Sequence, residues 1–308
     1  MSAEGEEPRV TVDLFGDEMF EDEPRPARNP PREPRPPRKG RRRGSGETAK
    51  RILVALPWIV FAIAITVAGG IVFTLAMIAI GVVALREFDA IARRLRPLVV
   101  PAYIAVAGLV LAAHFGTAFN VLYVIAASFL LVFAFVARPQ HQEGATVSMG
   151  VTLLGVLWIG IPLAHAVLLR DLPSHGAALL IDVLVGTFVA DTAAYATGRM
   201  FGSHRITPNI SPNKTAEGLI GGFLIGTMGF WFAGLYQDWL SGLDALLIGA
   251  AVAAVAPVGD LFESMLKRDL GTKDTGAIFG PHGGLLDRLD AVFFTVVVGY
   301  YLAVALVY

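Results

Sequence analysis

Polar and apolar positions divide this chain into two regimes. From Ile52 onward, apolar residues run in stretches that wrap the whole helical circumference rather than one stripe, the pattern of helices with lipid or protein on every side. A helix crossing a bilayer needs roughly 17–25 residues. The runs at 52–68, 70–85, 98–115, 119–137, 147–169, 177–196, 216–234, 243–258 and 291–308 predict an all-α polytopic membrane protein with about nine transmembrane helices. The first two runs are divided only by Gly69 and Gly70 and the eighth is short, so eight spans remain open. Before Ile52 the pattern is absent. Residues 1–50 are rich in Pro and charge and too poor in apolar side chains to offset the entropy lost on ordering. They read as a disordered cytoplasmic tail, and residues 51–308 as one transmembrane domain. No cleavable signal peptide is expected, because the apolar run starts only after Arg51.

Composition sharpens the division. The chain of 308 residues is 55% hydrophobic and 17% charged, against roughly 45–50% and 25% for a soluble domain. Residues 1–50 hold 11 of the 25 Lys+Arg, 11 of the 26 Asp+Glu and 8 of the 18 Pro. The remainder is about 11% charged, too little polar surface for a water-soluble enzyme. A net charge of -1 gives no hint of nucleic-acid binding. The absence of cysteine excludes disulfides, thiolate metal sites and a Cys nucleophile. Within the tail, residues 1–24 carry nine acids and one base, whereas Arg25–Arg43 carries nine bases and one acid. The basic part either lies on anionic lipid headgroups or is solvated and fixes topology.

Lys and Arg near span ends favour the cytoplasmic side. With the N-terminus inside, thirteen of the fourteen bases after residue 50 fall inside and only Arg170 falls outside. That orientation puts two polar segments, 197–215 and 259–290, on the cytoplasmic face of a cell (inner or plasma) membrane. Gly259–Asp290 concentrates eleven ionisable residues: Asp260, Glu263, Lys267, Arg268, Asp269, Lys273, Asp274, His282, Asp287, Arg288 and Asp290. A helix starting at Asp260 would bring Glu263, Ser264 and Lys267 onto one face. Carboxylates beside basic groups suit a divalent cation on oxygen ligands, with Lys and Arg neutralising phosphate oxygens. Asp260 and Glu263 also fit an acidic capping box, and Asp287 could cap the last span. A carboxylate at a helix N-terminus can still face a metal, so the two roles are compatible.

The run SMLKRDLGTKDTGAIFGPHGGLLDRLD, Ser264–Asp290, resembles the signature of the phosphatidate cytidylyltransferases, the CDP-diacylglycerol synthases. Their pattern is S-x-apolar-K-R, four residues, K-D-x-small, then H-G-G-apolar-x-D-R-apolar-D, and every fixed position is met. SPNKTAEG at 211–218 and DTAAYATGRMFG at 191–202 resemble the family's other polar blocks. The resemblance covers 51–308. It implies Mg2+ as cofactor with K+ as a second ion, and places the metal-binding aspartates at Asp260 and Asp287. It also implies that Ser211, Pro212 and Lys214 belong to the substrate region, and that the chain forms a homodimer. Two carboxylates 27 residues apart converge only if the chain doubles back, for which Gly271, Gly276, Gly280 and Pro281 offer turns.

The implied reaction joins CTP and phosphatidate to give CDP-diacylglycerol and pyrophosphate for phospholipid biosynthesis, with membrane lipids as surroundings. A phosphate monoester is largely dianionic at neutral pH, so the site must align two polyanions more than activate a nucleophile. Lys214, Lys267, Arg268, Lys273 and Arg288 are the candidate phosphate contacts, and Gly283 and Gly284 offer backbone N–H groups. His282 is either a phosphate donor or loop organiser, or a packed loop histidine. Asp191, near the inner end of the sixth run, is a candidate substrate-region carboxylate, because an ionisable group inside a membrane is expensive. The alternatives are a CTP-dependent polyprenol-type lipid kinase and, from another class, a transporter whose charges line a pathway.

Overall fold

A computed structural model describes residues 45–138, 144–272, 274–276 and 283–308, with side chains from residue 56 onward. The acidic and basic halves of the tail, up to residue 44, lie outside these residues. Val54–Tyr308 packs as a unit of its own.

Each apolar run lies in a helix: α1 (Ser45–Ala68), α2 (Gly70–Ile91), α3 (Val99–Phe115), α4 (Ala118–Val136), α5 (Ala145–Gly155), α6 (Ile161–Arg170), α7 (Gly176–Phe201), α8 (Ala216–Gly234), α9 (Gly242–Asp269) and α10 (Leu286–Leu306). A π-helical turn at Val156–Gly160 joins α5 to α6 as one run. Among the described residues, seven helices are long and apolar enough to cross a membrane, while Leu56–Ala68 and Val99–Phe115 are shorter. Large apolar side chains such as Phe61, Phe119, Tyr123, Phe133 and Phe232 are exposed, as the outward faces of an integral membrane protein must be.

Three departures from the sequence expectation matter for the site. α2 runs six residues past its predicted end, to Ile91, and α9 runs eleven past, to Asp269. Hydropathy reports the surroundings of a residue, not its backbone, and Leu, Glu, Met, Lys and Arg in Leu261–Arg268 are all good helix formers. Asp260 therefore lies inside a helix, and the capping-box reading of Asp260 with Glu263 is corrected. The all-α expectation is corrected at one place, where β1 (Arg205–Thr207) and β2 (Ser211–Thr215) form an antiparallel hairpin. Pro208 and Asn209 turn it, and exposed Pro212 is tolerated because the ribbon has only edges. Finally, α1 begins at Ser45, inside the stretch assigned to the tail.

Packing then fixes the helices that bear the polar groups. α7 makes its most extensive contacts with α8, and α9 packs on both α8 and α10. Gly222 and Gly226 of α8, a GxxxG pair, lie against α7, where an added Cβ would come within 2.8 Å of the Ala194 side chain and 2.5 Å of the Ala190 side chain, so they serve close helix packing. At Gly259 a Cβ would come within 2.8 Å of the Ala291 Cα. α9 and α10 thus meet where each carries a carboxylate, Asp260 and Asp290. Beneath them, Trp158 stands edge-on to Phe88, Phe262 and Phe293, with ring centroids 5.3–6.2 Å apart. This aromatic cluster joins α2, the π-turn, α9 and α10.

Candidate active site

Two lysine-centred groups occupy one end of the bundle. In the first, Lys267 Nζ donates to Glu263 Oε2 at 2.6 Å, one turn back along α9, and to Asp287 Oδ1 at 2.7 Å on α10. Asp287 Oδ2 accepts the backbone N–H groups of Gly284 at 2.7 Å and Thr275 at 3.2 Å. Glu263 is 2% exposed, and its Oε1 has no hydrogen-bond partner among the described residues. One cation thus stands between two carboxylates on different helices.

In the second group Lys214 reaches from β2 to α9. Its Nζ lies 2.8 Å from Asp260 Oδ2 and donates to the Pro257 carbonyl at 3.2 Å. Ser264 Oγ makes only a long contact with Asp260 Oδ1, 3.4 Å, and the Asp260 side chain is 41% exposed. Asp191 of α7 and Asp290 of α10 lie within electrostatic reach of Asp260 and of one another, and Asp290 also feels Lys267. The two groups therefore form one polar zone with Asp191, Asp260, Glu263, Asp287 and Asp290 against Lys214 and Lys267.

The remaining sequence candidates are distributed around this zone. Arg268 is exposed and its Nε donates to the Ile210 carbonyl at 3.3 Å, tying α9 to the hairpin turn. Arg288 is exposed on the first turn of α10. Ser211 is partly buried and Pro212 exposed in β2, beside Lys214. Gly283 takes φ of 84°, a left-handed conformation that favours glycine, and Gly284 gives its N–H to Asp287. Asp287 accepts from Gly284 and Thr275, which precede α10, and from Lys267, while no side chain within α10 caps its first turn, so the capping reading of Asp287 is corrected. Lys273 and His282 lie outside the described residues.

Three acids escaped selection as site residues from the sequence. Asp290 stood as the last fixed position of the signature without being given a role, and Glu263 was visible only as a charge on the face of Lys267. Glu87 was hidden because the second apolar run ends before it, and it is buried on α2 with its carboxylate on the start of α10. A pair of acids, Glu87 and Asp89, near the end of an apolar helix was the available signal.

Among the described residues, no three His, Cys, Asp or Glu side chains stand ready-gathered as a cation cage. The donor chemistry nevertheless fits a hard divalent cation. Five carboxylates face two lysines, and Asp260 has an exposed side chain whose Oδ1 is only weakly engaged.

Comparison with known proteins gives the family. The model of the cytidylyltransferase family matches residues 49–306. The chain belongs to this family. Among similar family proteins is a phosphatidate cytidylyltransferase of Thermotoga maritima, 44% identical over 131 residues, which cover 41% of this chain and 48% of that protein. Another is from Haemophilus influenzae, 38% identical over 125 residues, 39% of this chain and 43% of that one. In these matches the chain spans about half the length of its curated relatives. A cytidylyltransferase of the same description from Synechocystis is 30% identical over 294 residues, 83% of this chain and 97% of that protein.

Proposed function

We propose that the protein transfers CMP from CTP to phosphatidate, releasing CDP-diacylglycerol and pyrophosphate. The carrying observation is the polar zone itself. The signature residues Lys267 and Asp287 meet across two helices, and Lys214 of the second polar block comes within 2.8 Å of Asp260. The full-length similarity to a protein described as a phosphatidate cytidylyltransferase supplies the substrates.

In this reading a phosphate oxygen of phosphatidate attacks the α-phosphorus of CTP, a new P–O bond forms, and the bond to the bridging oxygen breaks with pyrophosphate leaving. The chain's part is alignment and charge neutralisation. Lys214, with the exposed Arg268 and Arg288, would meet phosphate oxygens, and Lys273 and His282 are assigned to the same task by the signature. Lys267, held between Glu263 and Asp287, sets the position of α10 and contributes positive charge from below. Ser211 and Pro212 would shape the hairpin beside the nucleotide, Asp191 would add a carboxylate within reach of Asp260 and Lys214, and Gly283 bends the chain so that Gly284 can orient Asp287. Asp260 and Asp287 would hold Mg2+, with K+ beside it, and the ions would supply the charge that lets two polyanions approach. No Ser-His-Asp relay is needed.

Nine membrane spans, with the tail and active site on the cytoplasmic side of the cell membrane, complete the proposal. The bias of Lys and Arg supports it. So does the placement of Arg170, whose Nε donates to the Thr66 carbonyl, next to a loop where Tyr308, at the far end of α10 from the zone, donates to the Pro173 carbonyl. A homodimer is carried over from the family resemblance.

The test supplies purified protein with CTP, dioleoyl phosphatidate and Mg2+, and measures lipid product and released phosphate species. Equal amounts of CDP-diacylglycerol and pyrophosphate are expected. Folded protein that yields neither overturns the proposal, and CDP in place of pyrophosphate, formed with a polyprenol acceptor, would assign the lipid kinase instead.

A further inference from the structure

Glu87 is buried, 5% exposed, at the end of α2, and it belongs to neither lysine-centred group. Its two carboxylate oxygens accept consecutive backbone N–H groups at the start of α10, Oε1 from Leu285 and Oε2 from Leu286, each at 2.9 Å. The first turn of a helix has N–H groups without intrahelical partners, normally met by a side chain a few residues away. Here the partner comes from 198 positions earlier in the chain, and it brings a full negative charge to the positive end of the helix dipole.

Two glycines between α9 and α10 are fitted around the same carboxylate. A Cβ on Gly276 would lie 2.5 Å from Glu87 Oε1, and one on Gly284 would lie 2.5 Å from Glu87 Oε2. These glycines therefore make room for an acid of the protein itself. Gly284 is also the residue whose N–H holds Asp287 Oδ2, and Asp287 follows Leu286 directly. The neighbouring Phe88 is locked edge-on against Trp158, so the position of Glu87 is set by the aromatic cluster.

We propose that Glu87 is a positioning residue: it fixes the first turn of α10, and through it sets Asp287 against Lys267. The N-terminal half of the chain thereby takes part in building a site whose recognisable motifs all lie in the C-terminal half. The two N–H groups that Glu87 engages are closed to substrate phosphate, so phosphate must be met by side chains and by other N–H donors.

The test compares wild type, Glu87→Gln, Gly276→Ala, Glu87→Ala and the Glu87→Ala/Gly276→Ala double variant, all full-length in the same detergent. Backbone hydrogen exchange of Gly283–Arg288 is read against that of α7 and α8. Glu87→Gln keeps the shape and loses the charge, so exchange in this stretch should rise by ~10-fold or more while α7 and α8 stay unchanged. Gly276→Ala should act in the same direction, and much less so when Glu87 is already Ala. Should Glu87→Gln fail to fold, Gly276→Ala in the wild-type background carries the test, and the same local rise in exchange is expected of it. Unchanged exchange in the stretch, a rise spread evenly over the bundle, or an equal effect of Gly276→Ala in both backgrounds would overturn the proposal. The kinetic arm rests on the proposed reaction: kcat should fall ~10-fold or more with KM for CTP nearly constant, because the ligand groups remain and only their placement changes. A wild type that makes no CDP-diacylglycerol would remove that reaction and leave the exchange result to decide the role of Glu87.

Discussion

The two lysines of the polar zone are bonded alike and surrounded differently. Lys267 is 15% exposed and shared by Glu263 and Asp287, at 2% and 11%. Lys214 is 18% exposed, but its partner Asp260 is 41% exposed. Removing a cation from between buried carboxylates leaves them uncompensated, whereas an open carboxylate is rescued by water. The first group is built to hold helices together. The second is built to exchange its partner for something else.

Substitutions can break this contrast. Lys267→Met should be the most damaging: about 3–5 kcal/mol of stability is expected to go, as for a broken buried pair, and a thermal or denaturant unfolding curve in detergent would show it. A midpoint equal to wild type would place Lys267 with the open group. Lys214→Met should change stability by only about 0–1 kcal/mol while lowering turnover by ~10²-fold, so a large fall in the unfolding midpoint would erase the distinction. Asp260→Asn at saturating Mg2+ should likewise lose ~10² in rate with little change in folding, and near-normal turnover would remove Asp260 from the metal role. Deleting residues 2–44 should have the smallest effect, leaving turnover within about twofold, since exposed termini tolerate truncation. A collapse of activity in vitro would make the tail part of the site.

Legibility in the sequence followed the physics of each signal. Apolar runs located every helix, because lipid demands uniform hydrophobicity over a span. They misplaced the ends of α2 and α9, because helices continue through charged residues once those leave the hydrocarbon. Lys267 and Asp287 could be named from the signature, and the helical spacing from Asp260 correctly put Glu263, Ser264 and Lys267 on one face of α9. Their division of labour could not be named, since it depends on burial that only packing decides. The hairpin at Arg205–Thr215 is too short to show strand periodicity. Glu87 could not be paired with Leu285 and Leu286 by any local rule, for nothing in a sequence of one chain links positions 198 apart.

The length of α9 has a consequence for depth. Its 28 residues rise about 42 Å at 1.5 Å each, while the hydrocarbon core of a bilayer is about 30 Å thick. With Gly242 at one edge of the hydrocarbon, the helix would exhaust the acyl-chain region near Asp260, and its last turns would stand among glycerol backbones and phosphates. The rod thus acts as a depth gauge. It would carry Asp260, Glu263 and Lys267 to the level at which a diacyl lipid displays its phosphate, so such a substrate would be met without being lifted from its leaflet.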